Sequence, residues 1–264
     1  MKKIRLDQLV FDRGLAESRE RAKTTIMSGV VFVNGRRMDK PGTPVDPDVQ
    51  IEVHGEPLPF VSRGGFKLDK ALKVFPIDPA GKVCIDCGAS TGGFTDVLLQ
   101  HGAARVYAVD VGYGQLAWKL RTDERVINLE RTNLRYITAE QIPEALDLAV
   151  MDVSFISIRL VLPAVKKLLK PDADLVCLIK PQFEAGREAV GKKGVVRDPA
   201  VHESVIREIL DFAPDHGLCV MGLDYSPIKG PEGNIEYICH MRNSEEPGFA
   251  VDVSAVVEAS HAVL

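Results

Sequence analysis

Short apolar runs alternate with stretches of helical spacing from residue 61 to the end of the chain. Continuous apolar runs of this length are typical of strands that are buried on both faces of a sheet. The predicted strands cover residues 82–86, 105–110, 146–152, 174–180, 217–225 and 234–241. The predicted helices include residues 93–101, 159–169 and 200–213. Because strands that alternate with helices form right-handed βαβ units, we expect an α/β domain with a doubly wound, mostly parallel sheet.

The N-terminal part of the chain has a different pattern. Residues 6–28 have the apolar spacing of two helices, with a break at Gly14 and a second start at Ser18. The segment GVVFVNGRRM predicts two strands joined by an Asn-Gly turn, and a further strand is predicted at 49–53. We therefore predict a small α+β domain at residues 1–56, a proline-containing linker at 57–62 and the α/β domain at 63–264.

Charge is distributed unevenly along the 264 residues. With 45% hydrophobic and 27% charged residues, the composition is ordinary for a globular protein with a sizeable core. The net charge is −4, yet residues 1–40 carry ten Lys or Arg against five Asp or Glu, whereas the rest carries 23 against 32. A basic N-terminal domain favours a polyanion such as nucleic acid as partner, with an ordinary solvated charged face as the alternative.

Neither a membrane nor a metal is predicted as a partner. No apolar run approaches about 18 residues, and the basic start of the chain leads to Asp7 rather than to an apolar segment. We therefore expect no signal peptide, no membrane span and a cytoplasmic location. The five cysteines are an odd number, which favours reduced, buried thiols. Cys84 and Cys87 have the spacing of half a metal site, but a second pair is missing and the six histidines are scattered.

A glycine-rich segment, DCGASTGGFT at residues 86–95, follows the first predicted strand of the α/β domain. Tight strand–helix turns use glycine in any case, but ligands bind at this edge of such sheets. Asp110 ends the next strand, where a carboxylate can accept hydrogen bonds from a cofactor ribose. The glycine spacing matches neither a dinucleotide fingerprint nor a P-loop, which favours S-adenosylmethionine. The candidate cofactor-binding residues are Asp86, Gly88, Ser90, Thr91, Gly92, Gly93, Phe94, Thr95, Asp110, Val111 and Asp152.

Two long segments carry motifs of known domains. RLDQLV…SRERAKTTIMSGVVFVNG, within residues 5–53, is similar to the S-four RNA-binding domain, and residues 61–242 are similar to the FtsJ/RrmJ methyltransferase domain. Together they resemble the TlyA family of ribosomal RNA 2′-O-methyltransferases, historically labelled hemolysin A. The resemblance implies a Rossmann-like class I methyltransferase fold with a seven-stranded sheet and S-adenosylmethionine as cofactor. It also implies ribosomal RNA or ribosomal subunits as partner, with a cytidine in 16S or 23S ribosomal RNA, or in both, as target.

The TlyA family carries a Lys-Asp-Lys-Glu catalytic tetrad, and four motifs of this chain match it. Lys67 lies in SRGGFKL, Asp152 in MDVSF, Lys180 in LIKPQFE and Glu236 in GNIEYI. By the resemblance, Lys180 engages the attacking hydroxyl, either as the base or as an orienting charge. Taken singly, the four have plainer interpretations: a solvated helix lysine, a capping aspartate, a strand-end lysine that reaches solvent and a cross-strand glutamate. The sequence DVSF lacks the prolines typical of enzymes that methylate base nitrogens.

Basic residues of the N-terminal domain and of one loop are the candidate RNA contacts. Arg19 and Lys23 are four residues apart, so they share a helix face. The loop at 184–198 contains three glycines and four basic residues, which favours a mobile flap that contacts phosphates over a plain solvated loop. The candidates are Arg5, Arg19, Arg21, Lys23, Arg36, Arg37, Arg63, Arg187, Lys192, Lys193 and Arg197.

Two other functions remain as alternatives. One is a non-catalytic RNA-binding protein with a vestigial methyltransferase fold, which the fourfold tetrad match disfavours. The other is a cytolysin, which the historical label suggests and which the expected absence of an export signal and of a membrane span disfavours. The oligomeric state is not predicted.

Overall fold

The computed structural model describes residues 3–55, 58–191 and 193–264. The predicted domain boundary at residues 56 and 57 and the candidate RNA contact Lys192 lie outside the described residues. The N-terminal part contains β1 (Ile4–Arg5), α1 (Leu6–Asp12), α2 (Arg19–Met27), β2 (Val31–Val33), β3 (Arg36–Met38), β4 (Pro44–Val45) and β5 (Ile51–Val53). Strand β2 lies between β3 and β5 in an antiparallel sheet, and β1 pairs with β4.

Local sequence signals determine these N-terminal elements. Ser18 begins α2, as predicted, because its side chain accepts a hydrogen bond from the backbone N–H of Arg21. Asn34 and Gly35 have φ of 50° and 73°, so both central positions of the predicted turn have the positive φ that a tight hairpin needs. The two-residue strands β1 and β4 were not predicted, because two residues show no period. The N-terminal part has its own core, which contains Leu6, Leu9, Val10, Ala22, Ile26, Val31, Val33 and Val45.

The remainder of the chain forms a seven-stranded sheet with helices on both faces. Its strands are β6 (Val83–Cys87), β7 (Arg105–Val109), β8 (Val126–Leu129), β9 (Leu146–Met151), β10 (Leu169–Ile179), β11 (Cys219–Tyr225) and β12 (Tyr237–Arg242). Its helices are α3 (Gly65–Val74), α4 (Gly93–Gln100), α5 (Trp118–Arg121), α6 (Leu162–Lys166), α7 (Pro181–Glu184), α8 (Pro199–Phe212) and α9 (Val253–Val263). The strand order is β11-β12-β10-β9-β6-β7-β8, and β12 runs in the opposite direction to the other six strands of this sheet. The predicted doubly wound, mostly parallel sheet is confirmed.

Alternate residues of the central strands pack into two separate cores. In β9, Leu148 and Val150 belong to the core on the side of α3 and α4, whereas Ala149 and Met151 belong to the core on the side of α6, α8 and α9. Successive side chains of a strand point to opposite faces, so both faces of this strand need apolar residues. This double burial explains why the central strands were recognisable as continuous apolar runs.

Four elements of the large domain differ from the prediction. The predicted helix at 159–169 is only α6 (Leu162–Lys166), preceded by a 3₁₀ turn at Ile158–Leu160. The end of that range instead begins β10, which is longer than predicted. Strand β8 was missed because every residue in it is only half-buried, so it lacks a continuous apolar run, and α9 was also missed.

The cysteine side chains are buried in the cores of the large domain. All five cysteines are free and buried, as expected, and burial raises the pKa of Cys84 to about 12. Cys84 and Cys87 belong to different cores on opposite faces of β6, so their thiols cannot bind one metal ion.

Within residues 3–55, 58–191 and 193–264, no helix combines the length and the apolar character that crossing a membrane requires.

Candidate active site

Four charged side chains lie together at one edge of the large sheet. Asp152 and Lys180 directly follow β9 and β10, and the carboxyl ends of parallel strands meet at the same edge. Glu236 directly precedes β12, which is antiparallel to β10, so its first residues lie beside the end of β10. Lys67 comes from the first turn of α3, which packs against α4 and β12. The structure thus brings together all four residues that the sequence motifs indicated.

The four groups form a chain of alternating positive and negative charges. The carboxylate of Asp152 lies between both lysines, with Oδ1 2.5 Å from Lys180 Nζ and Oδ2 3.2 Å from Lys67 Nζ. Lys67 Nζ also donates to Glu236 Oε2 at 2.6 Å. Because a buried charge is costly unless it is paired, each member of the chain depends on its neighbour.

Burial and ion pairing rule out the plainer interpretations of Lys67, Lys180 and Glu236. The side chain of Lys67 is 8% exposed rather than solvated, and that of Lys180 is 7% exposed rather than extended into water. Glu236 precedes its strand and pairs with Lys67, so it is not a cross-strand partner. Glu236 is connected to Lys180 through Lys67 and Asp152.

Opposite charges outweigh burial in setting the ionisation of this chain. Burial by itself raises the pKa of Asp152, but Lys67 and Lys180 bring the pKa below its ordinary value. Burial likewise lowers the pKa of Lys67, while Asp152 and Glu236 raise this pKa above its ordinary value. At neutral pH, therefore, Asp152 is a carboxylate and Lys67 is an ammonium group.

Two polar residues that the sequence analysis missed contact the tetrad directly. Ser154 Oγ accepts a hydrogen bond from Lys180 Nζ at 3.0 Å. Gln182 Nε2 donates to Glu236 Oε1 at 3.3 Å. Both lie two residues after a tetrad member, in the motifs MDVSF and LIKPQFE, and this proximity was the only signal in the sequence.

Buried Glu184 joins the two loops that carry Asp152 and Lys180. It accepts hydrogen bonds from Ser157 Oγ at 2.6 Å and from the backbone N–H of Ile158 at 2.7 Å. Glu184 belongs to α7, directly after Lys180, whereas Ser157 and Ile158 belong to the loop after Asp152. These bonds fix the two loops relative to each other.

The turn between β6 and α4 requires glycine at two positions. Gly88 and Gly92 have φ of 86° and 93°, a conformation that other residues rarely adopt. A Cβ atom on Gly88 would lie 2.8 Å from the backbone oxygen of Asp152, and one on Gly92 would lie 2.2 Å from Leu120 Cδ1. The loop backbone therefore passes directly beside the tetrad. A ligand bound by this loop would contact Asp152.

Asp110, directly after β7, supports the same loop. Its Oδ2 accepts a hydrogen bond from the backbone N–H of Ser90 at 2.7 Å, and its Oδ1 accepts one from Gly112 N–H at 2.7 Å. The residue is half-buried, and each carboxylate oxygen has a second lone pair. Asp110 thus both shapes the loop and keeps acceptor capacity towards a ligand.

Asp86 is a buried carboxyl group with one unsatisfied oxygen. Its Oδ2 accepts hydrogen bonds from Thr95 N–H at 2.8 Å and from Thr95 Oγ1 at 2.7 Å. Its Oδ1 has no hydrogen-bond partner among the residues that the structure describes. Burial raises the pKa of Asp86 to about 7, against the lowering effect of Thr95. Such an oxygen is suited to a cationic ligand group.

The other predicted cofactor contacts differ in exposure. Ser90 and Val111 are exposed, and Thr91 is half-buried. Gly93 begins α4, and the side chain of Phe94 packs in the core beneath it. Contact of these residues with a cofactor stays a prediction.

Comparison with known proteins identifies the family. The FtsJ-like methyltransferase model matches residues 60–243, and the S4 domain model matches residues 4–51. The 16S/23S rRNA (cytidine-2′-O)-methyltransferase TlyA of Mycobacterium tuberculosis is 45% identical over 98% of this chain and 97% of its own length. The chain belongs to the TlyA family. It is therefore a methyltransferase.

Two other proteins are similar over the full length. YqxC of Bacillus subtilis, whose name proposes an rRNA methyltransferase, is 52% identical over 100% of this chain and 96% of its own length. Among solved structures, a Streptococcus thermophilus protein named as a proposed hemolysin has a TM-score of 0.80 and 47% identity, over 100% of this chain and 97% of that one. Both the S4 part and the methyltransferase part are therefore shared with relatives.

In this TlyA-family chain, four candidate RNA contacts on β1 and α2 have partners within the protein. Arg5 and Arg19 both contact the carboxylate of Asp7, at 2.8 and 3.6 Å. Arg21 donates to the backbone oxygen of Leu58 at 2.9 Å, so it binds the segment between the two domains. Lys23 pairs with Glu20 at 2.6 Å.

The other candidate RNA contacts lie on exposed surfaces. Arg36 and Arg37 are exposed on β3, and Arg63 is exposed before α3. In the loop at 184–198, Arg187 lies in a 3₁₀ turn, and Lys193 and Arg197 are exposed. The loop is attached to the core because buried Val196 donates its N–H to Asn234 Oδ1 at 3.0 Å. RNA binding by all of these residues stays a prediction.

Proposed function

We propose that this protein transfers the methyl group of S-adenosylmethionine to the ribose 2′-hydroxyl of a cytidine in 16S ribosomal RNA, 23S ribosomal RNA or both. The observation that carries the proposal is the buried charge chain of Lys180, Asp152, Lys67 and Glu236 beside the glycine-rich loop. The name of the Mycobacterium tuberculosis relative supports the substrate. The S4 match supports a role of the N-terminal domain in holding that RNA.

The residues of the glycine-rich loop suit S-adenosylmethionine. The unsatisfied oxygen of Asp86 suits the ammonium group of the cofactor's amino-acid part. Gly88 leaves open the space beside Asp152 that a Cβ atom would fill, and Asp110 keeps acceptor capacity for ribose hydroxyls. When bound, S-adenosylmethionine supplies a methyl group on a positively charged sulfur, which an oxygen nucleophile can accept by in-line displacement.

Lys180 acts on the attacking hydroxyl. The 2′-oxygen must be aimed at the methyl group, and its proton must leave as the new carbon–oxygen bond forms. For this step Lys180 first gives up its own proton to water, and the resulting amine then accepts the proton of the 2′-hydroxyl. Asp152, 2.5 Å from the nitrogen, stabilises the ammonium group that forms again. Ser154 lies 3.0 Å from the same nitrogen and fixes its direction.

Lys67 and Glu236 act by holding Asp152 in place. Lys67 binds the oxygen of Asp152 that faces away from Lys180, and Glu236 balances the charge of Lys67. Groups that are fixed before the reaction need no reorganisation during it, and correct positioning can contribute roughly 7–11 kcal/mol in favourable cases. This is the physical reason for keeping four charges in a nearly dry site.

A product analysis tests the proposal. Purified protein is incubated with S-adenosylmethionine and with either protein-free 16S and 23S ribosomal RNA or intact ribosomal subunits, and the digested nucleosides are separated by mass spectrometry. We expect 2′-O-methylcytidine with the native protein and at least about 100-fold slower formation of it with Lys180→Ala. A methyl group on a base, or no transfer to any of these substrates, would contradict the proposal.

The same assay separates the alternative functions. A non-catalytic RNA-binding protein would bind the RNA and transfer no methyl group, whereas four assembled catalytic charges favour transfer. A cytolysin would release haemoglobin from erythrocytes. We expect no release at protein concentrations that saturate methylation.

A further inference from the structure

A buried carboxylate in the first turn of α1 holds two exposed arginines. Asp7 is 0% exposed, and its two oxygens accept hydrogen bonds from Arg5 Nε at 3.0 Å and Arg5 Nη2 at 2.8 Å. Arg19 Nη2, from α2, lies 3.6 Å from Asp7 Oδ1. The side chains of Arg5 and Arg19 are 53% and 45% exposed. One fully buried acid thus fixes two guanidinium groups at the surface.

The backbone around Asp7 is rigid. Its N–H donates to the backbone oxygen of Pro41 at 2.9 Å, and the N–H of Leu6 donates to Thr43 at 2.9 Å. Leu6 and its neighbours Leu9 and Val10 form the N-terminal core. The carboxylate therefore cannot move without disturbing the packing of α1.

The negative charge of Asp7 holds the guanidinium groups of Arg5 and Arg19 beside it. Burial by itself raises the pKa of Asp7, but Arg5 and Arg19 bring this pKa below its ordinary value, so Asp7 is charged at neutral pH. Two guanidinium groups and one carboxylate leave a net positive charge. Arg5 directs Nε and Nη2 to Asp7, which leaves Nη1 for another acceptor.

We propose that Asp7 is a positioning residue that holds Arg5 and Arg19 as a preformed pair for one phosphate of the RNA backbone. The inference rests on the proposed function, because it takes RNA as the ligand. A planar guanidinium group binds phosphate in a fixed direction, so two oriented groups lose less freedom on binding than two mobile side chains. The buried acid supplies this orientation without touching the RNA.

Whether one substitution raises or lowers the affinity for RNA distinguishes a positioning role of Asp7 from a simple effect of its charge. Asp7→Asn removes a negative charge beside two cations, so long-range electrostatics alone would make RNA binding tighter. A positioning role predicts weaker RNA binding, because an amide holds the guanidinium groups less firmly than a carboxylate does. Glu17→Gln, at an exposed position before α2, removes the same charge from the same domain and is the matched control.

The experiment uses the full-length chain and protein-free ribosomal RNA in filter binding at several salt concentrations. We expect Asp7→Asn to weaken binding about five- to tenfold. The slope of log affinity against log salt should fall by about one, as for the loss of one phosphate contact. KM for RNA should rise while kcat stays unchanged, and Glu17→Gln should bind at least as tightly as the native chain. Binding by Asp7→Asn that equals or exceeds the native affinity would overturn the proposal.

Three further variants separate misfolding and failure of the RNA interface from failure of the positioning role. Arg5→Lys keeps a positive charge beside buried Asp7 but removes the planar fork, so it should weaken RNA binding in a chain that still folds. If Arg5→Ala and Arg19→Ala bind weakly while Asp7→Asn binds normally, positioning is wrong and the RNA interface stands. If all three bind normally, the phosphate site itself is wrong, whereas methylation at the tetrad is tested separately by product analysis.

Discussion

In the proposed mechanism, the nitrogen of Lys180 takes the proton of the attacking hydroxyl, which a guanidinium group cannot do. In Lys180→Ala, methyl transfer should fall at least about 10²-fold, the low end for losing a positioned proton-transfer group. Lys180→Arg should be nearly as damaging, because arginine keeps the charge but does not release its proton. Asp152 stays paired with Lys67 in both variants, so the fold and the cofactor affinity should change little. Single-turnover methylation with saturating cofactor and RNA measures the effect.

The matched control for Lys180→Arg is Lys73→Arg. Lys73 is exposed on α3 and pairs with Asp69 at 2.7 Å, away from the tetrad. This control should retain full activity. If Lys180→Arg remains active within about threefold of the native enzyme, Lys180 serves only as an orienting charge and the proton leaves by another route.

Asp86 should make the stability of the cofactor-free protein depend on pH. Its pKa is about 7 when folded, mainly through burial, against an ordinary value of 3.8. The folded state therefore holds a proton that the unfolded state has lost, so stability falls as pH rises from about 4 to about 7. The loss from this group is up to about 4 kcal/mol. Urea unfolding should show this fall in the native chain and a smaller fall in Asp86→Asn.

The same substitution should also affect cofactor binding. Asp86→Asn removes the carboxylate proposed to bind the ammonium group, so S-adenosylmethionine should bind more weakly while the apo protein becomes more stable above pH 7. Matching pH profiles of stability for the native chain and the variant would show that Asp86 is charged over the whole range. A structural role alone would not produce opposite effects on stability and affinity.

At the scale of elements, the glycine-rich loop depends on a carboxylate from the neighbouring strand. Asp110 binds the backbone of Ser90 in the loop and that of Gly112 in its own turn. Asp110→Ala should weaken S-adenosylmethionine binding by about 1.5–3 kcal/mol, as expected for hydrogen bonds to a charged group. Calorimetry measures this change. Unchanged affinity would place the ribose contact elsewhere.

Elements buried on both faces could be predicted from the sequence, and half-buried ones could not. The strands around Asp86, Asp110 and Asp152 lie within one residue of their predicted ends, because continuous apolar runs mark strands in a central sheet. Strand β8 lies at the sheet edge and is half-buried, so its residues give no such run. The helix predicted at 159–169 was too long because the start of this range forms a 3₁₀ turn and Leu169 at its end begins a strand.

The sequence motifs predicted which charged residues form the candidate site, but not how these residues contact one another. Four motifs indicated the tetrad, but not that Asp152 lies between two lysines, because that order depends on how α3, which carries Lys67, packs beside the ends of β9 and β10. The contacts of Ser154 and Gln182 depend on the same tertiary arrangement. The pairing of Arg5 with Asp7 is local in sequence, yet only the burial of Asp7 distinguishes it from an ordinary surface ion pair.

At the scale of the whole molecule, the N-terminal domain and the methyltransferase domain have separate cores. The N-terminal core contains residues from Leu6 to Val45, whereas the two cores of the large sheet begin at Phe60. The contact between Arg21 and Leu58 joins the domains through one hydrogen bond to the connecting segment. Because neither large core contains an N-terminal residue, removing the first domain exposes little of them to water.

Removal of residues 1–56 should therefore separate RNA binding from cofactor binding. The truncated chain should stay folded and bind S-adenosylmethionine, but it should lose most of its affinity for ribosomal RNA, because it loses the domain with ten Lys or Arg among its first 40 residues. In the intact protein, RNA affinity should fall steeply as salt rises, because phosphate contacts release counterions. Filter binding over a range of salt concentrations, with calorimetry for the cofactor, measures both effects. An affinity that does not depend on salt, or full RNA binding by the truncated chain, would place the RNA surface on the methyltransferase domain instead.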